Sequence, residues 1–68
     1  MTKQYRTVGV FGSTHHSSPI RSSRPDAERD ADRFLAGGAR VVITLEFEGG
    51  FWMLRTPADI VVRDEATL

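Results

Sequence analysis

The stretch from Ala39 to Thr56 constrains this chain most, because its pattern is that of a single β-hairpin. From Ala39 to Phe47, apolar side chains alternate with polar or charged ones, with one exception. A period of two is typical of a strand with one buried face. Gly49 and Gly50 follow, and two adjacent glycines can adopt the positive φ angles of a tight type I′ turn. The sequence therefore predicts two antiparallel strands joined at the glycine pair.

A two-residue turn at this position fixes the partners across the hairpin. Phe47 is expected opposite Trp52, and Leu45 opposite Leu54. Because these side chains are the large apolar ones of the hairpin, we expect them to face the core and to pack against a helix.

The helix is predicted between Ser23 and Gly37. Ser23 is a suitable N-cap, the helix should run to about Ala36, and Gly37 is expected to provide a left-handed C-cap. Four apolar residues recur at helical spacing and form the stripe that should face the sheet: Ala27, Ala31, Phe34 and Leu35.

Upstream, residues 4–11 are rich in aromatic and β-branched residues, which predicts a strand in which Gly9 marks a bulge or a close approach.

The chain is short enough for one domain, residues 1–68. After the hairpin we expect a turn at residues 56–59, a short strand at residues 60–63 and a frayed tail at residues 64–68. The element order is then β-α-β-β(-β). It predicts a small α+β sandwich, in which one helix packs on a mainly antiparallel sheet of three or four strands.

Residues 12–22 are rich in serine and have no periodic pattern. A connection this long in so small a domain is either functional or merely mobile, and we expect a mobile loop. In the functional alternative it binds a phosphate or carboxylate, because arginine forks and serine hydroxyls suit anionic oxygens. The residues expected to do so are Arg6, Arg21, Ser22 and Arg24.

The formal net charge is zero, but the charges are unevenly distributed. Residues 1–25 carry four cations and no acid, whereas residues 26–68 carry nine acids and five arginines. This asymmetry favours an anionic partner or head-to-tail self-association. Arginine outnumbers lysine eight to one, a composition common in GC-rich genomes, so a bacterial or phage accessory protein is expected.

Several classes of function are disfavoured by the residues present. The chain has no cysteine, which excludes thiol catalysis and cysteine-ligated metals. The adjacent His15 and His16 point opposite ways in an extended chain, and the sequence has neither a phosphate-binding loop nor a nucleophile elbow. We therefore expect no catalytic residue, no metal and no cofactor. With no apolar run of signal-peptide or membrane-spanning length, we expect a cytoplasmic protein that does not bind membranes.

One helix covers only one face of a sheet, so the other face is expected to be open. The hairpin pattern assigns Val42, Phe51, Met53 and Arg55 to that face, and exposed apolar residues among charges are typical of interaction surfaces. The function predicted from the sequence is therefore a non-catalytic protein-interaction module that binds a protein partner or itself as a homodimer.

The alternative is a nucleic-acid-binding protein. Arg6, Arg21 and Arg24 would then contact phosphates, and Phe51 would stack on a base. The zero net charge and the single lysine count against it, because phosphate contacts normally need a basic surplus.

Overall fold

A computed structural model describes residues 3–63, which form one α-helix packed on an antiparallel sheet. The strands are β1 (Gln4–Phe11), β2 (Thr14–Ser17), β3 (Val41–Glu48), β4 (Phe51–Met53) and β5 (Ile60–Val62), and the helix is α1 (Arg24–Ala36). A short 3-10 helix, Pro57–Asp59, precedes β5. The predicted α+β class is confirmed. The predicted tail, residues 64–68, lies outside the described residues.

The sheet has the strand order β2-β1-β3, with β4 and β5 sharing the remaining edge of β3. β4 pairs with residues 46–48 and β5 with residues 41–43 of β3. The sheet is therefore four strands wide, and β1 and β3 are its central strands.

The predicted hairpin turn and register are confirmed where β3 and β4 pair. Phe47 lies opposite Trp52, and Gly49 and Gly50 have φ angles of 63° and 88°. Glycine adopts positive φ angles without steric cost and few other residues do so, so this pair fixes the turn. β4 ends at Met53, one residue before Leu54. The expected pairing of Leu45 with Leu54 therefore does not form.

The ends of α1 follow the predicted capping with one correction. The Ser23 hydroxyl accepts a hydrogen bond from the backbone N–H of Asp26 at 3.4 Å, as expected of an N-cap. Gly37 has a φ of −83°, so it is not left-handed. Gly38 instead adopts the positive φ, 103°, because the chain reverses one residue later than predicted.

The helix covers the opposite face of the sheet from the one predicted. Thr7 on β1 donates its hydroxyl to the backbone oxygen of Ala27 on α1 at 3.0 Å. Val42 on β3 is 1% exposed beneath the helix. Leu45 and Phe47 lie an odd number of residues from Val42 along β3, so their side chains are on the other face of the strand and point away from α1. The core-facing assignment of these two residues is therefore wrong.

The interior between α1 and the sheet contains more polar side chains than the sequence pattern implied. Its buried residues include Tyr5, Ala27, Ala39 and Val42, together with Thr7, Ser18, Asp30, Thr44 and Glu46. Strand alternation shows which residues share a face but not which face the helix covers. The helix packs on the face of Val42, where Thr7, Asp30 and Glu46 have hydrogen-bond or ion-pair partners.

The segment predicted as a mobile loop, residues 12–22, contains β2. This strand pairs antiparallel with β1, with His15 opposite Val10. Further along, Tyr5 and Arg21 exchange two backbone hydrogen bonds of 2.8 Å. The segment is therefore partly a strand rather than a loop throughout, and backbone pairing with β1 holds it against the sheet.

Candidate protein-binding face

The sheet surface opposite α1 is covered by no element within residues 3–63, and we call it the open face. Its members follow from the alternation along β1 and β3 and from their partners in β2, β4 and β5. They are Gln4, Arg6, Val8, Val10, His15, Ser17, Val41, Ile43, Leu45, Phe47, Trp52, Ile60 and Val62.

Nine of these thirteen side chains are apolar, three are polar and Arg6 is the permanently charged one. The apolar residues on the central strands are half-buried by their sheet neighbours. Those on β5 are more accessible, since Ile60 is 39% and Val62 67% exposed. The acids of β3, Glu46 and Glu48, project from the other face. The open face is thus a mainly apolar surface on which Arg6 is the one arginine or lysine among residues 3–63.

Arg6 lies against the aromatic pair at one end of this face. Its guanidinium carbon is 5.1 Å from the centre of the Trp52 ring, a distance at which a cation is attracted to the ring face. Trp52 in turn packs edge-on against Phe47, with ring centres 5.1 Å apart. The Arg6 Nε is buried, and no atom of residues 3–63 accepts a hydrogen bond from it.

The other predicted anion-binding residues are not beside Arg6. Arg21 donates to the carboxylate of Asp30 from Nε at 2.7 Å and from Nη2 at 3.0 Å. Arg24 donates to Asp59 at 2.9 Å. Ser22 is exposed between them. The four residues therefore do not form one site, because two of the three arginines already bind internal carboxylates.

These internal contacts shift the pKa values of Asp30, Arg21 and Arg24. Hydrogen bonds from Arg21 lower the pKa of Asp30, although burial of that carboxylate opposes the shift. The hydrogen bond to Asp59 raises the pKa of Arg24. Both arginines therefore stabilise the fold at neutral pH.

The residues predicted to bind a partner lie on the helix side of the sheet. Val42 is buried beneath α1, so it is inaccessible to a partner. Phe51 and Met53 are exposed on β4, and they lie on the same face of the sheet as their partners Glu48 and Glu46. Their assignment to the open face is corrected, because this is the face on which the helix packs.

Arg55, also predicted to bind a partner, is engaged by two carboxylates. Its Nη1 lies 2.9 Å from Glu48 Oε1, and its Nε lies 3.5 Å from Glu46 Oε2. Glu46 is almost fully buried and is also 3.3 Å from the ammonium of Lys3. Sequence reasoning missed this buried carboxylate, since its position in an alternating strand indicated a solvent-facing residue.

A groove of about 280 Å³ lies on the helix side, between α1 and the β3/β5 edge. Its lining includes the carboxylates of Glu28, Asp32 and Asp59 above the apolar Leu35 and Val42. Within residues 3–63 no group of three acidic or histidine side chains is arranged to hold a metal ion.

The two histidines lie on opposite sides of β2, as predicted. His15 is paired with Val10 on the side of the open face. The ring of His16 packs edge-on against Phe11, with ring centres 5.4 Å apart.

Comparison with known proteins gives this chain no relative: no family model matches it, and no curated protein or solved structure is significantly similar to it. In the part of the chain from residue 3 to residue 63, no helix has the length and apolar character needed to cross a membrane.

Proposed function

We propose that this protein is a non-catalytic interaction module that binds a partner protein through the open face. The observation that carries the proposal is the mainly apolar character of a sheet surface with nothing from residues 3–63 packed on it. Contiguous apolar surfaces of this kind are uncommon on monomers and typically mark binding sites.

The dimensions of the open face suit a specific interface. Eight residues of β3 at roughly 3.4 Å each span about 27 Å, and four strands at roughly 4.8 Å span about 19 Å. A partner that covers this surface would bury on the order of 1,000 Å² in total, the lower bound for a specific protein interface. Such burial would also stabilise a domain whose own core is small.

The charges support a protein partner over a nucleic acid. Arg21 and Arg24 bind Asp30 and Asp59, so phosphate contacts would have to displace these acids. The open face offers one cation, Arg6, whereas nucleic-acid binding normally requires several.

The test uses two double variants matched in exposure and chemistry. Ile60→Gln with Val62→Gln changes the open face at positions that are 39% and 67% exposed. Val61→Gln with Phe51→Gln changes the helix side at positions that are 40% and 72% exposed. Glutamine adds no charge, and burying an unpaired amide in an interface costs about 1 to 3 kcal/mol.

Both double variants should fold, because all four side chains are accessible in the isolated protein. The tagged proteins are used to capture partners from extracts of the source cell, and self-association is measured by sedimentation. We expect the open-face variant to lose specific capture or self-association at least tenfold and the helix-side variant to keep it. Equal behaviour of the two variants, or no association by the wild type, would contradict the proposal.

A cytoplasmic site of action is part of the proposal, as expected from the sequence. Fractionation of source cells with an antibody against the protein tests it. Recovery of the protein outside the cytoplasmic fraction would contradict this part alone.

A further inference from the structure

We propose that Arg6 and Trp52 form a carboxylate-binding site within the open face. The partner is then a protein surface that places an aspartate or glutamate among apolar side chains. This inference rests on the proposed function and specifies the chemistry of the partner. Three points carry it. The side chain of Arg6 is held in position, it has no anionic partner among residues 3–63, and an interface on this face would remove its water unless the partner supplied an acceptor.

The site is held in place by the aromatic pair. The guanidinium of Arg6 lies over the Trp52 ring at 5.1 Å, and Phe47 packs against the edge of that ring. Phe47 and Trp52 are also direct partners across the β3–β4 ladder. Stacking orients a planar guanidinium and reduces the conformational freedom that it would lose on binding a ligand.

Arg6 differs from the paired arginines of this protein in what it contacts. Arg21, Arg24 and Arg55 each form ion pairs with carboxylates. Arg6 forms no ion pair with any carboxylate of residues 3–63, and its Nε is buried without an acceptor. Among the described residues, the positive charge of Arg6 therefore has a cation–π contact but no anionic partner.

Covering the open face would remove water from this guanidinium. A buried charge without a partner is strongly unfavourable, so a well-fitting interface must supply an acceptor. A carboxylate suits a guanidinium best, because its two oxygens match two parallel N–H donors. Apolar side chains around the carboxylate would match the valines, isoleucines and leucine around Arg6.

A second copy of this protein does not supply that acceptor from its own open face. Within residues 3–63 the open face carries no acid, so self-stacking would bring another Arg6. The acids of β3, Glu46 and Glu48, lie on the helix side and are bound by Arg55. Charge complementarity therefore favours a different protein over a second copy.

The experiment is a selection from a displayed library of random peptides on the immobilised full chain. The wild type, Arg6→Gln, Arg6→Glu and the double variant Ile60→Gln with Val62→Gln are compared. We expect wild-type binders to be enriched at least threefold in an acid flanked by apolar residues. Arg6→Gln should remove the preference for an acid, and Arg6→Glu should replace it with a preference for lysine or arginine.

Trp52 is the only tryptophan in the chain, so its fluorescence reports binding beside Arg6. A selected peptide should change Trp52 emission, and replacing its acid by the matching amide should weaken binding to the wild type at least tenfold. The same replacement should have little effect on binding to Arg6→Gln. Circular dichroism and the thermal midpoint establish that each variant is folded.

The outcomes separate this inference from the proposed function. Binders that depend on Ile60 and Val62 but show no acid preference would overturn the carboxylate site and leave the proposed function standing. A dimer disrupted by those two changes, with no peptide selected, would identify a second copy as the occupant and overturn the inference. Salt-sensitive binding of a single-stranded oligonucleotide through Arg6, without peptide binding, would overturn both.

Discussion

Arg21 binds Asp30 through two parallel hydrogen bonds, from Nε to Oδ2 at 2.7 Å and from Nη2 to Oδ1 at 3.0 Å. Asp30 lies on α1 with its side chain only 3% exposed. Arg21 precedes the helix and is also paired through its backbone with Tyr5 of β1. This one ion pair therefore joins the segment after β2, the helix and the sheet.

The Asp30 carboxylate should make the stability of the fold depend on acid pH. Hydrogen bonds from Arg21 lower its pKa in the folded protein. A lowered pKa stabilises the fold at pH values above the ordinary aspartate pKa, and that stability is lost as the pH falls through the folded value. We expect the free energy of unfolding in urea to decrease below about pH 4, and Asp30→Asn to show a smaller decrease.

Asp32→Asn is the matched control, because Asp32 lies on the same helix and is exposed. It should keep the wild-type pH profile. Coincident profiles for the wild type and Asp30→Asn would show that Asp30 does not contribute to the acid response.

Ser18 should contribute measurably to stability although it lies in a segment without a sequence pattern. Its buried hydroxyl accepts a hydrogen bond from the backbone N–H of Thr7 at 2.9 Å. Ser18→Ala leaves that N–H without its acceptor, which should lower the free energy of unfolding by about 1 to 3 kcal/mol. Ser17→Ala, at an exposed position of β2, should change it by less than about 0.5 kcal/mol. Equal losses measured by urea denaturation would exclude this role of Ser18.

Gly9 should not tolerate a side chain, because Phe34 of α1 packs directly on it. A Cβ atom at position 9 would lie 2.9 Å from Cγ of Phe34. Gly9→Ala should therefore lower the free energy of unfolding by about 1 to 3 kcal/mol. At Gly37 a Cβ would come no closer than 3.4 Å to another atom, so Gly37→Ala should have a smaller effect. Similar thermal midpoints for both variants would indicate that Phe34 moves aside freely.

The features that could be predicted from the sequence depend on neighbouring residues. Gly49 and Gly50 fix a turn because few other residues adopt its φ angles, and that turn sets the register of Phe47 with Trp52. Ser23 caps α1 because its hydroxyl reaches the N–H three residues later. Each of these relationships is decided within a few residues, so a single sequence is sufficient to find it.

The side of the sheet covered by the helix could not be predicted in the same way. The apolar residues of β3 alternate along the strand and indicated that their face forms the core. The helix α1 instead packs on the other face of β3, which carries Thr44 and Glu46. Those polar side chains look solvent-facing in sequence, and partners distant along the chain, such as Lys3 for Glu46, make their burial acceptable. The open face was consequently assigned to the wrong side of the sheet, and the contact of Arg6 with the Trp52 ring was missed.

β2 was missed for a different reason. All four of its residues are exposed, so hydrophobic alternation gives no signal. Its formation depends on the turn after β1, where Gly12 has a φ of 64°, and on backbone pairing with a strand that is already in place. Such an edge strand is stabilised by its neighbour rather than by its own side chains.

Val42 and Leu45 provide a direct test of the assignment of the two faces. Val42 is 1% exposed beneath α1, so Val42→Ala should lower the free energy of unfolding of the isolated protein by about 2 kcal/mol. Leu45→Ala removes a larger side chain but from the half-buried open face, and should cost only about 1 kcal/mol.

The effects of these two variants on partner binding should have the opposite order, with Leu45→Ala weakening binding more than Val42→Ala. Leu45 lies opposite Arg6 in the β1–β3 ladder, so truncating it removes apolar contact area beside the proposed carboxylate site and should weaken binding of a selected peptide several-fold. Val42→Ala should leave binding to the folded fraction unchanged, because the side chain of Val42 projects to the helix side and the sheet lies between it and any ligand on the open face. Urea denaturation and Trp52 fluorescence titration measure the two effects on the same samples. If Leu45→Ala proved the more destabilising change in the isolated protein and left peptide binding intact, Leu45 would belong to the core, and the helix would have to pack on the face here called open.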